Sequence, residues 1–152
     1  MENRKFGLGV IICIFNKELS KILLLKRSEE KRRKNNADWG NVGGRVELGE
    51  KLIDACLREA KEEIGIDLDP AKVRLLEIKE TPFLTEIFHA LHFVYATVID
   101  ENSEIILNFN GCNESEEYRW FELTHLPNRT LDSTEDLIKL NKIAKEKFLR
   151  DD

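Results

Sequence analysis

The stretch GRVELGEKLIDACLREAKEEIGI, residues 44 to 66, contains the best-marked helix of the chain. From Glu50 onward, Leu52, Ile53, Cys56, Leu57, Ala60 and Ile64 recur at three- and four-residue spacing, which predicts an amphipathic helix, and Gly65 supplies its C-terminal stop. Glu59, Glu62 and Glu63 stand at i, i+3 and i+4, within about 100° of arc on one face. That face runs back through Cys56, Ala55 and Leu52, so the carboxylates lie on or beside a packed surface. Like charges so placed repel by several tenths of a kcal/mol per pair even in water. A cation among them is the expected remedy, and hard Mg²⁺ or Mn²⁺, shared with phosphate oxygens, takes such ligands. The preceding Gly43-Gly44 pair can bring main-chain carbonyls or amides to the same place, through unusual backbone angles or close approach. The competing interpretation is a solvated acidic surface balanced by Lys51, Arg58 and Lys61.

Upstream of this helix, Phe6 to Phe15 and Ile22 to Leu25 read as buried strands joined in a hairpin by the polar Asn16 to Ser20. Ser28 to Asp38 is almost wholly charged or amide and reads as a solvated loop. Downstream, Val73 to Ile78, Ile87 to Ile99, Ile105 to Phe109 and Tyr118 to Phe121 are β-rich runs. A last helix opens at Ser133, paired with Asp136 as a cap, and carries Leu137, Leu140, Ile143, Ala144 and Phe148. Strands, helix, strands, helix without regular βαβ alternation predict an α/β domain with a mixed sheet covered on both faces.

At 152 residues the chain is sized for one domain, 1–152, with a core that needs no metal or disulfide staple. A net charge of −5 argues against duplex nucleic acid, whose phosphates call for a basic footprint. Cys13, Cys56 and Cys112 are odd in number and lack C-x-x-C spacing, which fits a reducing cytoplasm. The longest apolar run, Leu8 to Phe15, is too short to span a membrane and lacks a signal-peptide cleavage site.

Residues 44 to 66 also match the Nudix box, G-x5-E-x7-R-E-U-x-E-E-x-G-U with U a bulky aliphatic. Gly44, Glu50, Arg58, Glu59, Glu62, Glu63, Gly65 and Ile66 fall in register. Such a match arises by chance on the order of 10⁻⁵ times per chain, which displaces the solvated-surface interpretation. The chain therefore resembles the Nudix hydrolases, MutT-like members included. It departs from them at Ala60, smaller than the usual aliphatic, and at Val42, where many members have proline.

The resemblance implies an α/β/α sandwich around a central mixed sheet. It implies Mg²⁺-dependent hydrolysis of a pyrophosphate bond by in-line attack of water on phosphorus. The substrate would be a small molecule, a nucleoside triphosphate, canonical or oxidised, or a nucleotide-sugar such as ADP-ribose; a catalytically inactive nucleotide-binding or regulatory module is the alternative. By carry-over, Glu59, Glu62 and Glu63 are metal ligands, joined by the Gly43 carbonyl. Glu59 is the first choice of general base, and Glu117, then Glu116 and Glu114, are candidates for a distal carboxylate. Arg58 and Glu50 would pair to orient the helix, Gly44 and Gly65 would shape it, and Gly44, Lys26 and Arg27 would hold phosphates. A homodimer is compatible with the family.

Weaker features have plain explanations. Lys31 to Lys34 reads as part of a solvated loop. His89 and His92, three apart on a strand, turn to opposite faces, which spoils a shared metal site. Trp39 suits the core as well as a stacked base. Pro82 reads as a turn residue, although its distance from the box also has an association with ADP-ribose cleavage in this family.

Overall fold

The computed structural model describes residues 4–85 and 87–149 and, at Phe83, the backbone alone. The described residues form a seven-stranded mixed sheet and three α-helices. In chain order these are β1 (Lys5–Asn16), β2 (Lys21–Arg27), α1 (Glu29–Asn35), β3 (Trp39–Gly40), β4 (Val42–Arg45), α2 (Leu52–Ile64), β5 (Arg74–Thr85), β6 (Phe88–Ile99), β7 (Ser115–Glu122) and α3 (Thr134–Leu149). This is the expected α/β sandwich.

β1 organises the sheet. Its residues alternate between two buried faces, as a strand's period of two requires. Val10, Ile12 and Ile14 pack with Ala55, Cys56, Ala60 and Ile64 of α2, whereas Cys13 and Phe15 pack with Leu137, Leu140 and Ala144 of α3. Ala60 is fully buried there, so the small residue suits the close seat of α2. β6 runs parallel to β1 over its whole length. On the other edge, β4 takes Gly9 to Ile12 and β2 takes Ile14 and Phe15, so these two neighbours part company along β1. The cavity described below lies at that split.

Several segments differ from the sequence-based expectation. Ser28 to Asp38 is solvated but not a loop: Ser28 caps α1 by accepting from the Lys31 amide, and no residue of α1 is buried. Ile105 to Phe109 is not a strand. Its amides serve another element: those of Ile106, Asn108 and Asn110 donate to the carbonyls of Ile64, Glu63 and Glu62, capping the end of α2. Pro82 lies inside β5, which runs on to Thr85 across an irregular register, rather than in a turn. Ser133 caps α3 through the Asp136 amide as expected. No helix of the described residues is long and apolar enough to cross a membrane.

Candidate active site

The acidic residues of α2 are built around Arg58. Its Nε and Nη2 donate to the two oxygens of Glu50 at 2.7 and 3.0 Å, a two-pronged bond that ties the loop before α2 to the helix. Nη1 donates to Glu59 at 2.9 Å and Glu62 at 3.2 Å, and Nη2 also reaches the Arg45 carbonyl at 2.8 Å. The cation expected among the like charges is thus, in part, this guanidinium. It holds the Glu50 carboxyl below its ordinary range.

Glu63 faces another way. Its Oε2 accepts from the Gly43 amide at 3.0 Å. Burial, then the nearby Glu59 charge, pushes its carboxyl well above the usual range. Burial also raises Glu59, against the pull of Arg58. Two carboxyls with raised affinity for protons, Glu59 buried and Glu63 half-buried, lie in one place, a common signature of functional sites.

The paired glycines explain how β4 comes so close. A Cβ on Gly43 would lie 2.5 Å from the Val10 carbonyl oxygen across the β1–β4 pairing. A Cβ on Gly44 would lie 2.2 Å from Glu59 Oε1. Of the two interpretations of this pair, close approach holds. Neither glycine has a positive φ, whereas Gly65 does, at +70°, as the C-cap of α2.

A cavity of about 330 Å³ opens at the split in the sheet. Glu63, Gly43 and Gly44 line it, joined by Lys31 and Glu114. Among the described residues no three carboxylate, imidazole or thiolate groups close on one point as they stand. The residues nonetheless suit a hard divalent cation. Their donors are carboxylate oxygens, those of Glu59 and Glu63 mutually repelling, and Gly44 leaves a recess beside Glu59 that a side chain would fill.

The structure therefore brings Glu59, Glu62 and Glu63 onto one helix face beside Gly43 and Gly44, where the Gly43 amide donates to Glu63. It sends other candidates elsewhere. Lys26 and Glu117 are cross-strand partners on β2 and β7 and pair with each other at 3.6 Å, and neither lines the cavity. Glu116 is bound to Arg32 at 2.8 Å. Of the three distal carboxylates, Glu114 is the one at the cavity, 3.5 Å from Lys31. Arg27 lines the cavity, but its guanidinium holds α1 in place, donating to the Ala37 and Lys31 carbonyls and to Asn35. Trp39 is a core residue, edge-on to Phe121 at 4.9 Å. His89 binds Glu80 while His92 lines the cavity, so the two do not share a site. Sequence reasoning missed Lys31, whose only signal was its place in a basic run, and also Asn41 and Asp132, which line the same cavity.

The model of the NUDIX domain matches residues 5–140. Among curated proteins, the chain is 34% identical over 110 residues to the m7GpppN-mRNA hydrolase NUDT17 of Danio rerio, covering 69% of this chain and 37% of that one. It is 31% identical over 100 residues to the dihydroneopterin triphosphate diphosphatase of Escherichia coli (strain K12), covering 66% and 63%. It thus spans less than two thirds of the length of these relatives. Among solved structures, a MutT NUDIX hydrolase from Burkholderia pseudomallei superposes with a TM-score of 0.72 at 26% identity, covering 90% of this chain and 98% of that one.

Proposed function

The chain belongs to the NUDIX domain family, and on that premise we propose that it is a divalent-metal-dependent hydrolase that cuts a pyrophosphate bond in a nucleotide or nucleotide-like substrate. One observation carries this proposal: two proton-avid carboxyls, Glu59 buried behind Gly44 and Glu63 half-buried at the lining, flank the glycine-built wall of a cavity sized for a small molecule.

Glu59, Glu62 and Glu63 are the residues that would hold Mg²⁺ or Mn²⁺, which when bound neutralises phosphate charge and acidifies water. Glu59 takes the proton of the attacking water. The water oxygen forms a bond to phosphorus in line with the anhydride oxygen, whose bond to that phosphorus breaks as it leaves on the second phosphoryl group. Arg58 keeps Glu59 and Glu62 in place. Lys31, rather than Lys26, is the cation beside the phosphates, because it lines the cavity with Glu63. The two curated relatives act by name on a methylguanosine cap and on a reduced-pterin triphosphate. Both support a phosphoanhydride attached to a fused heterocycle. Buried free thiols at Cys13 and Cys56 suit a reducing cytoplasm.

Turnover of nucleoside triphosphates, nucleotide-sugars and capped dinucleotides in Mg²⁺ tests this. Glu62→Gln should lower kcat by at least about 10²-fold with the fold intact. Equal turnover by this variant and the parent overturns the assignment. Nucleotide binding with no turnover of any substrate makes the chain a binding module instead.

A further inference from the structure

The sheet ends on β5. This strand pairs with β6 alone, and among the described residues no backbone bond is made on its outward side. A free edge offers a row of amides and carbonyls to another chain, and sheets ordinarily guard it with irregularities, proline or lysine. β5 is guarded at its ends: its register with β6 slips between Leu75 and Glu77, and again between Thr81 and Thr85, where Pro82 lies. Glu77 to Thr81, between the slips, is regular, and within it Ile78 is 57% exposed. An exposed isoleucine on an unpaired stretch of edge is the arrangement that invites another strand.

The register also gives the facing of each side chain. Glu77 and Lys79 stand opposite Val94 and His92, on the α3 face of the sheet; Glu77 meets Lys139 of α3 at 3.1 Å, and Lys79 is 3.6 Å from Asp136. Leu75, Ile78 and Glu80 stand opposite Tyr95, Phe93 and Leu91, on the α2 face. Two copies of one edge strand join antiparallel about a two-fold axis normal to the sheet. Such an axis keeps each face on its own side, so the residue on the axis meets itself and its two neighbours meet each other. Within Glu77 to Thr81 the choice is narrow. An axis at Glu77, Lys79 or Glu80 sets like charges directly opposite, which destabilises the pair. An axis at Thr81 draws in Pro82, which has no amide to donate, and the irregular end of the strand. An axis at Ile78 sets Ile78 against Ile78 and Glu77 against Lys79, twice by symmetry. Leu76 is then left over, as it is against β6, so that Leu75 falls opposite Glu80 and Arg74 opposite Thr81, each pair sharing a face.

We infer that β5 is a self-association surface: a second copy of this chain adds its own β5 antiparallel to the first, with Ile78 on the two-fold axis and Glu77 paired with the partner's Lys79 in both directions. The charge pattern selects a second copy over an unrelated strand, because the order glutamate, isoleucine, lysine is complementary to its own reverse. Joining two sheets over so short a stretch makes a small interface, so assembly depends on concentration, with dissociation in roughly the micromolar range. The inference stands independently of the hydrolase proposal.

Analytical ultracentrifugation of the full chain from about 5 to about 500 μM tests it, and the parent should pass from monomer to dimer over that range. Ile78→Lys puts two ammonium groups on the axis and should raise the dissociation constant at least about tenfold. Glu77→Lys and Lys79→Glu each turn both cross-strand pairs into like charges, so either variant alone should remain monomeric. Mixed in equal amounts they should regain the dimer, because every cross-strand pair between the two variants is again a glutamate facing a lysine. A parent that is monomeric throughout, a dissociation constant unchanged by Ile78→Lys, or a mixture no more dimeric than its components overturns the inference. If Lys79→Glu fails to fold beside Asp132 and Asp136, hydrogen exchange of the parent and Ile78→Lys decides. The β5 amides of the parent should then exchange more slowly at the higher concentration, and those of Ile78→Lys at one rate throughout. Exchange in the parent that does not change with concentration overturns it.

Discussion

A methyl group on Gly44 would lie 2.2 Å from Oε1 of Glu59 and 2.4 Å from its carboxyl carbon. The position of Glu59 therefore depends on the absence of one carbon from the strand opposite. Gly44→Ala must swing the carboxylate aside and break its bond to Arg58. Turnover should fall by about 10²-fold or more, since misplacement of a reacting group by an ångström costs that much. Gly40→Ala, whose added carbon meets nothing closer than 3.6 Å, is the control and should retain most activity. Equal activities of the two variants would remove Glu59 from the chemistry.

Glu63 sets a conflict between stability and function. Its carboxyl is raised by burial and by Glu59, so the folded state holds the proton more tightly than the unfolded state, whose value is near 4.3. Stability is then greatest at low pH and is lost as pH rises through the interval between the unfolded and the folded value. Glu63→Gln removes the charge and can keep an oxygen for the Gly43 amide. In metal-free buffer at pH 7.5 the variant should be more stable by roughly 1–2 kcal/mol while inactive, and the gain should vanish near pH 4. Thermal melts at both pH values check this, and a variant less stable than the parent at pH 7.5 contradicts it.

Among the described residues Arg58 makes five hydrogen bonds, to Glu50, Glu59, Glu62 and Arg45. Arg58→Gln leaves three carboxylates without their guanidinium, of which Glu50 and Glu59 are mostly buried. Removing one partner of such a cluster costs more than the cluster contributes, and a loss of about 2–3 kcal/mol is expected. Urea unfolding at pH 7.5 should show the midpoint falling with the slope unchanged. Mg²⁺ should restore part of the loss in Arg58→Gln, because a second cation then serves the same oxygens. A Mg²⁺ effect identical in parent and variant would show that ion and guanidinium do not share them.

What could be read from the sequence follows the range of the interactions involved. α2 was legible because its apolar period and its Gly65 stop are local properties. The need for Gly43 and Gly44 was visible, but its cause lies in a strand more than thirty residues away, at Val10, and in the Glu59 side chain. α1 was missed because it buries nothing; its order comes from the Ser28 cap and from Arg27, which a hydrophobic pattern does not record. Ile105 to Phe109 imitates a strand because Ile105 and Leu107 pack against the core while Ile106 and Phe109 stay exposed, yet its amides go to a helix end. Lys26 and Glu117 were both reasonable candidates, and the β2–β7 register makes them partners of each other. Register over ninety residues is a property of the whole sheet, not of either strand.

The segment that caps α2 also delivers Glu114 to the cavity, and Asn108 is its fastener. This residue adopts a left-handed backbone, φ 55°. Its Nδ2 donates to the Ser115 carbonyl at 2.8 Å, and its Oδ1 accepts from the amides of Glu114 and Ser115 at 3.0 and 3.1 Å. Two separate demands are met by one asparagine: a backbone that most side chains avoid, and a short amide that bridges to the start of β7. Asn108→Gly keeps the first and loses the second, and Asn108→Ala loses both. The glycine variant should lose about 1–2 kcal/mol and the alanine variant about 1 kcal/mol more. Because Glu114 is held by Asn108 and pairs with Lys31 at the cavity, both variants should also raise KM for a phosphoanhydride substrate more than they lower kcat. Equal stabilities of the two would show that the left-handed backbone costs nothing there, and an unchanged KM would detach Glu114 from the substrate.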